Sequence, residues 1–347
     1  MISRRWTAPC LLGLVLAAAC ADDAAPSSEG SRFAARSGRF GSLRDFYLLE
    51  GADGAPGEGL LVDRFEATQR DWMEFAATAS GAAVAADQVP IVGRLSLPVG
   101  GVDLVQARAF ARWRCGRLPS EAEWSAVAQG GGSGPFPWGS KEDATRANTG
   151  DLALGERMPV GTFESGRRSG GDAPYDLVGN VREWTETVPL EWCQEGAVGD
   201  ASAFGRSARR ALQAPALRAW ADRFGVLPAG VLVAVGGDGV PRRCVGADYE
   251  TPMRDVFERQ YDTQAAGERR QRTGLRVYTT VGELWERLVS IDDVLAADER
   301  AQVVAFARRA GNRAAFRRAI ERSPQRSARP GAGTAAAALL DEVLRKP

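Results

Sequence analysis

The chain has 347 residues, and the side chains that could do chemistry in it are defined first by an absence: there is no histidine. Histidine is the side chain that titrates near neutral pH and the commonest metal ligand. Ser-His-Asp triads, Cys-His dyads and histidine-bound zinc or iron are therefore excluded. Chemistry is left to carboxylates, tyrosine, lysine, arginine and five cysteines. Lys and Arg number 44 and so do Asp and Glu, for a formal net charge of zero. Nucleic-acid binding needs a basic surface, and nothing in this balance points to one.

The first 19 residues read as an export signal. Arg4 and Arg5 precede an apolar run from Ala8 to Ala19, which is too short to span a bilayer as a helix. The run ends Leu16-Ala17-Ala18-Ala19-Cys20, which resembles a bacterial lipobox, with small residues before a cysteine that takes a lipid. Cys20 then becomes the lipidated N-terminus and the membrane is a partner. An ordinary signal peptide cut after Ala19 is the other reading. Residues 20–44, rich in Ala, Ser, Asp and Gly and without a period, read as a flexible tether.

Phe46-Tyr47-Leu48-Leu49 and Leu60-Leu61-Val62 read as short strands around a Gly-rich turn. Thr68, with Asp71 three residues on, starts a helix that places Trp72, Phe75 and Ala76 on one face. A second helix is expected from Leu104 to Trp113. Ser120 and Glu123 form a capping box for a third, with Trp124 and Val127 pointing inward. Phe136-Pro137-Trp138-Gly139 is a tight aromatic turn. The 40 glycines and 18 prolines suit a turn-rich α+β domain. Beyond Thr280, Leu284, Leu288, Ile291 and Leu295 form a helical stripe. Further helices are expected from Asp298 to Ala310, onward to Ile320, and from Ala335 to Arg345. This extension, 281–347, reads as a small bundle, a docking arm or an element packed on the main domain.

The ordered set of motifs resembles the formylglycine-generating-enzyme, or sulfatase-modifying factor, family. Phe65-Glu66-Ala67-Thr68 resembles its early F-E-V-T segment. Arg117-Leu118-Pro119-Ser120-Glu121-Ala122-Glu123-Trp124 is close to its R-L-P-T-E-A-E-W. Pro137-Trp138-Gly139, Asn148, Val160-Gly161-Thr162-Phe163 and Gly179-Asn180-Val181-Arg182-Glu183-Trp184 follow in order, and Thr273-Gly274-Leu275-Arg276-Val277 resembles the closing G-F-R strand. The resemblance covers 45–280. It implies an irregular mixed α/β fold related to C-type lectins.

Catalytic members carry two cysteines, two and seven residues after the aromatic of an R-G-G-S-W/Y strand. These bind copper(I), a soft ion suited to thiolates, and oxidise a substrate cysteine with oxygen. The matching stretch here is Val245-Gly246-Ala247-Asp248-Tyr249, and the counted positions are Thr251 and Val256. No catalytic residue is assigned and copper is not expected. Asp248, Tyr249 and Thr251 are expected to line the relic of a substrate groove, for an unknown protein or peptide partner.

Calcium is the cofactor the resemblance implies, with Asn180, Glu183 and the backbone of Val178 and Val181 as hard oxygen donors. The alternative gives Asn180 a left-handed turn and Glu183 local hydrogen bonds. A second family calcium position matches Asn148 and Thr149, but its loop, 150–157, is short. Asp176, Arg182, Arg117 and Glu121 are expected to form structural ion pairs. Residues 195–241 have no family counterpart, and Leu217, Trp220 and Phe224 suggest an amphipathic helix there. Cys193 and Cys244 bracket this insertion and are expected to form a disulfide. Its loop of about 50 residues would stabilise the fold by about 4 kcal/mol in the chain-entropy model. Cys115 is expected to be free or buried.

These features favour a non-catalytic binding or scaffold lipoprotein of the cell envelope. The alternative is a copper-dependent oxidase of protein cysteine with a rearranged thiolate site. Iron-dependent C–S bond formation, known in relatives, uses a histidine cluster and is set aside.

Overall fold

β1 (Phe46–Leu49) and β2 (Leu60–Asp63) form an antiparallel hairpin with Phe46 opposite Asp63 and Leu49 opposite Leu60. The computed structural model describes residues 46–49, 59–85, 93–129, 134–168, 173–187, 242–255, 261–265, 267–290, 297–309, 312–322 and 342–343. The signal sequence, Cys20, the tether, Cys193, the insertion 195–241 and most of the expected last helix lie outside these residues.

After β2 the chain starts α1 (Gln69–Ala76) with a reciprocal cap. Thr68 Oγ1 accepts the Asp71 N–H at 3.2 Å and Asp71 Oδ2 accepts the Thr68 N–H at 2.9 Å, which satisfies two backbone donors that the helix leaves open. α2 (Ala79–Ala85) follows at once. Its sequence has no apolar period and predicts no helix. Gly81 makes it fit, because a Cβ there would stand 1.8 Å from Phe75 O at the end of α1. α3 (Leu104–Trp113) is capped by Asp103 and Gln106 in the same reciprocal way. α4 (Glu121–Gln129) starts where Ser120 Oγ accepts the Glu123 N–H at 3.2 Å and Glu123 Oε2 accepts the Ser120 N–H at 2.8 Å. α1 and α3 meet through aromatic rings: Trp72 stacks on Phe110 at 5.6 Å, and Phe75 meets the edge of Phe110 at 5.6 Å.

β3 (Arg182–Trp184), β4 (Arg242–Val245), β5 (Tyr261–Gln264) and β6 (Thr273–Gly274) make a second sheet in the order β5-β4-β3-β6. β3–β4 and β4–β5 are antiparallel, and β3–β6 is parallel. β7 (Tyr278–Thr280) then crosses to the first sheet and pairs antiparallel with β2. The short stretch between β6 and β7 therefore joins the two sheets, and Arg276 lies in it.

α5 (Val281–Ser290), α6 (Ala297–Ala307) and α7 (Asn312–Arg322) follow. The expected stripe would carry α5 on to Leu295, but residues 291–296 are outside the described set. Val281, Leu284, Trp285, Val303, Phe306, Ala315 and Phe316 are buried in the same apolar cluster as Trp72, Phe75 and Phe110. Of the three readings of the extension, packing on the main domain is the one observed. The rings of Phe46 and Phe306 lie 6.3 Å apart, so β1 is sealed from behind by α6. Because the core is shared, Phe316→Ala should destabilise the whole domain by about 3–5 kcal/mol. In chemical denaturation this should appear as one cooperative transition moved to lower denaturant. A small separate transition, with the main one unmoved, would show instead that the helices fold alone.

Candidate functional site

Arg276 is fully buried and makes five described contacts through its guanidinium. Nε donates to Glu183 Oε1 at 2.8 Å, and Nη2 lies 2.7 Å from the same oxygen. Nη1 donates to Asp63 O at 3.1 Å, and Nη2 also reaches Tyr175 O at 2.8 Å and Asp176 O at 3.4 Å. One side chain thus ties β3, the end of β2 and the loop that carries Asp176.

Two more carboxylates are buried beside it. Glu66 Oε2 accepts from Asn180 Nδ2 at 2.7 Å and Glu66 Oε1 from the Val181 N–H at 3.1 Å. Asp176 Oδ2 accepts the Gly161 N–H at 2.7 Å. Burial, and then the nearby charge of Asp176, pushes the Glu66 carboxyl well above the usual carboxylate range. Burial likewise pushes Asp176 up to about 6, against the pull of the Gly161 hydrogen bond and Arg276. Glu183 is also raised by burial, with Arg276 opposing. Burial disfavours the Arg276 charge too, but the facing Glu183 outweighs it and holds the guanidinium protonated. Three carboxylates around one guanidinium cannot all stay ionised away from water, and Glu66 is the group best placed to keep a proton.

Asn180 has a left-handed backbone, φ 64°, as an asparagine readily adopts. Its side chain is a clamp. Oδ1 accepts the Met158 N–H at 2.9 Å and Asn148 Nδ2 at 3.1 Å, while Nδ2 donates to Glu66 and to Met158 O. Asn148 Nδ2 also donates to Glu156 O at 2.9 Å. The Asn180 carbonyl accepts the Tyr249 N–H at 3.2 Å. The two asparagines therefore set the loop 156–158 and Tyr249 in register.

These contacts involve the side chains expected to hold calcium. Asn180 Oδ1 accepts two N–H donors, from Met158 and Asn148. One oxygen of Glu183 faces a guanidinium. Its other oxygen, Oε2, has no hydrogen bond, although the Trp124 indole beside it favours the charged form. At the second position Asn148 Oδ1 and Thr149 Oγ1 are buried without partners. Among the described residues no group of three acidic or sulfur side chains converges. Among the described residues the cation that faces Glu183 is Arg276.

The expected groove residues do come together. Arg182 Nε donates to Asp248 Oδ2, Nη1 to Gly246 O and Nη2 to Thr251 Oγ1, each at 3.0 Å. Thr251 Oγ1 donates in turn to Asp248 Oδ1 at 3.0 Å. Asp248 and Thr251 are buried and Tyr249 is half-buried. The first counted cysteine position is thus a threonine locked in a polar clasp, and Val256 lies outside the described residues. Cys115 is buried. Cys244 is buried on β4 with Sγ 3.7 Å from Gln264 Oε1, and its expected partner Cys193 is outside the described set. The expected structural pairs are present: Arg117 with Glu123 and Glu283, Arg243 with Glu121, Arg182 with Asp248. Asp176 instead accepts a backbone N–H.

The motifs and their geometry belong together in one family. The model of the sulfatase-modifying factor enzyme 1-like domain matches residues 55–281, and the chain belongs to this family. Inactive C-alpha-formylglycine-generating enzyme 2 of Bos taurus is 40% identical over 103 residues, covering 26% of this chain and 33% of the relative. The formylglycine-generating enzyme of Mycobacterium tuberculosis is 39% identical over 110 residues, covering 28% of this chain and 36% of the relative. The matched segments span about a third of the length of these curated relatives. Among solved structures, PvdO from Pseudomonas aeruginosa has a TM-score of 0.41 and 20% identity, with 68% of this chain and 91% of that chain covered. Enzymes and a protein named as inactive stand side by side among the relatives.

The carboxylate cluster makes a pH prediction. A carboxyl with a raised folded pKa stabilises fully below its unfolded pKa, and that contribution is lost as pH climbs through the folded value. Glu66→Gln removes the titration and keeps one of the two N–H bonds, a loss that is the same at every pH. Its stability relative to the parent protein should rise as pH goes from about 5 to about 8, because only the parent has a proton to lose. Urea denaturation across that range measures this. A difference that shrinks toward alkaline pH would contradict a protonated Glu66.

Proposed function

We propose that this family member is a non-catalytic binding module, held at the cell envelope by a lipid on Cys20. The observation that carries the reading is the clasp at Thr251. A hydroxyl there cannot serve as a soft thiolate ligand, and it is already bonded to Arg182 and Asp248. The valine at the second counted position has no ligating atom. Among the described residues no helix is long and apolar enough to cross a membrane, and in this reading anchorage falls to the lipidated cysteine. The surface around Asp248 and Tyr249 then serves to hold a protein or peptide rather than to oxidise one.

Oxygen uptake tests the reading directly. The purified chain, loaded with copper(I) under reducing conditions, is mixed with cysteine-containing peptides and followed with an oxygen electrode and by peptide mass. Uptake should match that of copper and peptide without protein, and no peptide should lose the mass expected for thiol-to-aldehyde conversion. Catalytic turnover of oxygen with formylglycine in the peptide would overturn the reading and establish the oxidase.

A further inference from the structure

Arg157 stands apart from the arginines around it. Arg94, Arg182, Arg270 and Arg272 each pair with a carboxylate: Glu156, Asp248, Glu268 and Glu250. Arg157 has no ion pair among the described residues. Its described hydrogen bond runs from Nη1 to the Pro98 carbonyl at 2.9 Å, which leaves other guanidinium donors for solvent or a ligand. The side chain is half-buried, and desolvation lowers its pKa below the usual arginine value. A half-buried cation of this kind gains more from an anion than an exposed one does.

The position is built. Asn148 and Asn180 hold the backbone on both sides of Arg157, at Glu156 O and at the Met158 N–H and carbonyl. Gly100 lets the side chain lie flat, since a Cβ there would stand 2.7 Å from Arg157 Nη1. Tyr249, placed by the Asn180 carbonyl, is the largest charge-supporting neighbour of the guanidinium. Asn180 thus bonds the backbone of both Met158, next to Arg157, and Tyr249, and the planar fork of donors on Arg157 suits a carboxylate. The chemistry also favours one negative charge over two. Only one cation is uncompensated, and Glu156 and Glu250, next in sequence to Arg157 and Tyr249, would repel a dianion.

We propose that Arg157 and Tyr249 form a subsite for a carboxylate group of a bound peptide. The inference rests on the binding-module reading and deepens it by naming the chemistry recognised.

The test uses the full chain and four fluorescent hexapeptide pools. Each is random over residues other than Asp and Glu except for one fixed central Glu or Gln, and each is made with an amidated or a free C-terminus. Anisotropy should show tighter binding of a carboxylate-bearing pool over the amidated Gln pool by about tenfold or more, the scale of a charge-assisted hydrogen bond. Preference for central Glu identifies a side-chain carboxylate, and preference for the free acid identifies a C-terminus; either supports the proposal. Arg157→Gln should abolish the preference and Arg157→Lys should reduce it, with thermal unfolding unchanged. Tyr249→Phe, which removes only a hydroxyl, should weaken it if the substitution at 157 disturbs folding. Equal binding of all four pools overturns the carboxylate subsite and leaves the binding reading standing. No binding by any pool overturns both. Competition by inorganic phosphate at lower concentration than acetate overturns the choice of a carboxylate.

Discussion

A single buried guanidinium sets the terms for this domain. Arg276 lies on the short link between the second sheet and the first, and it is spent on both: Glu183 on β3, Asp63 O at the end of β2, and the Tyr175 and Asp176 carbonyls between them. A charge this far from water survives only when its hydrogen bonds are made and a counter-charge is adjacent. Removing one member of such a pair typically costs about 3–5 kcal/mol. The irregular loops around it contain little regular secondary structure, and this network does for them what a longer sheet would do elsewhere.

The same network fixes the shape of the family motif. The two asparagines use their amides on the loop 156–158, on Glu66 and on each other, and the Asn180 carbonyl positions Tyr249. At the position of the first family cysteine, Thr251 closes a clasp with Arg182 and Asp248. The described side chains of this clasp are polar and bonded to one another. Among the described residues Arg157 makes one hydrogen bond, to the Pro98 carbonyl.

Much of the fold was legible because its signals are local. Thr68 with Asp71 and Ser120 with Glu123 mark helix starts through the backbone donors they satisfy, and both caps form. The helix Leu104–Trp113 lies where its sequence places it. α2 was illegible because Ala79–Ala85 is held by contact with α1 through Gly81, not by its own pattern. The site was half legible. The motifs single out Asn180, Glu183, Asp248 and Thr251, but a sequence does not say which cation faces Glu183. That cation is Arg276, 93 residues away, and only the crossing between sheets brings the two together. Glu66 and Arg157 were missed for the same reason. The one signal available was charge: an acidic residue buried among Phe65, Ala67 and Thr68, and a closing strand with an arginine at its centre.

The claim that an internal guanidinium, and not a divalent ion, organises this motif is tested most directly by the thermal unfolding midpoint of the purified chain, taken after exhaustive chelation and again in excess calcium. The two midpoints should coincide, since Asn180 Oδ1 already accepts two N–H donors and Glu183 Oε1 faces Arg276. A midpoint raised by calcium in a concentration-dependent manner, as mass action requires for an ion bound only by the folded state, would contradict the account and return these residues to the role of ligands.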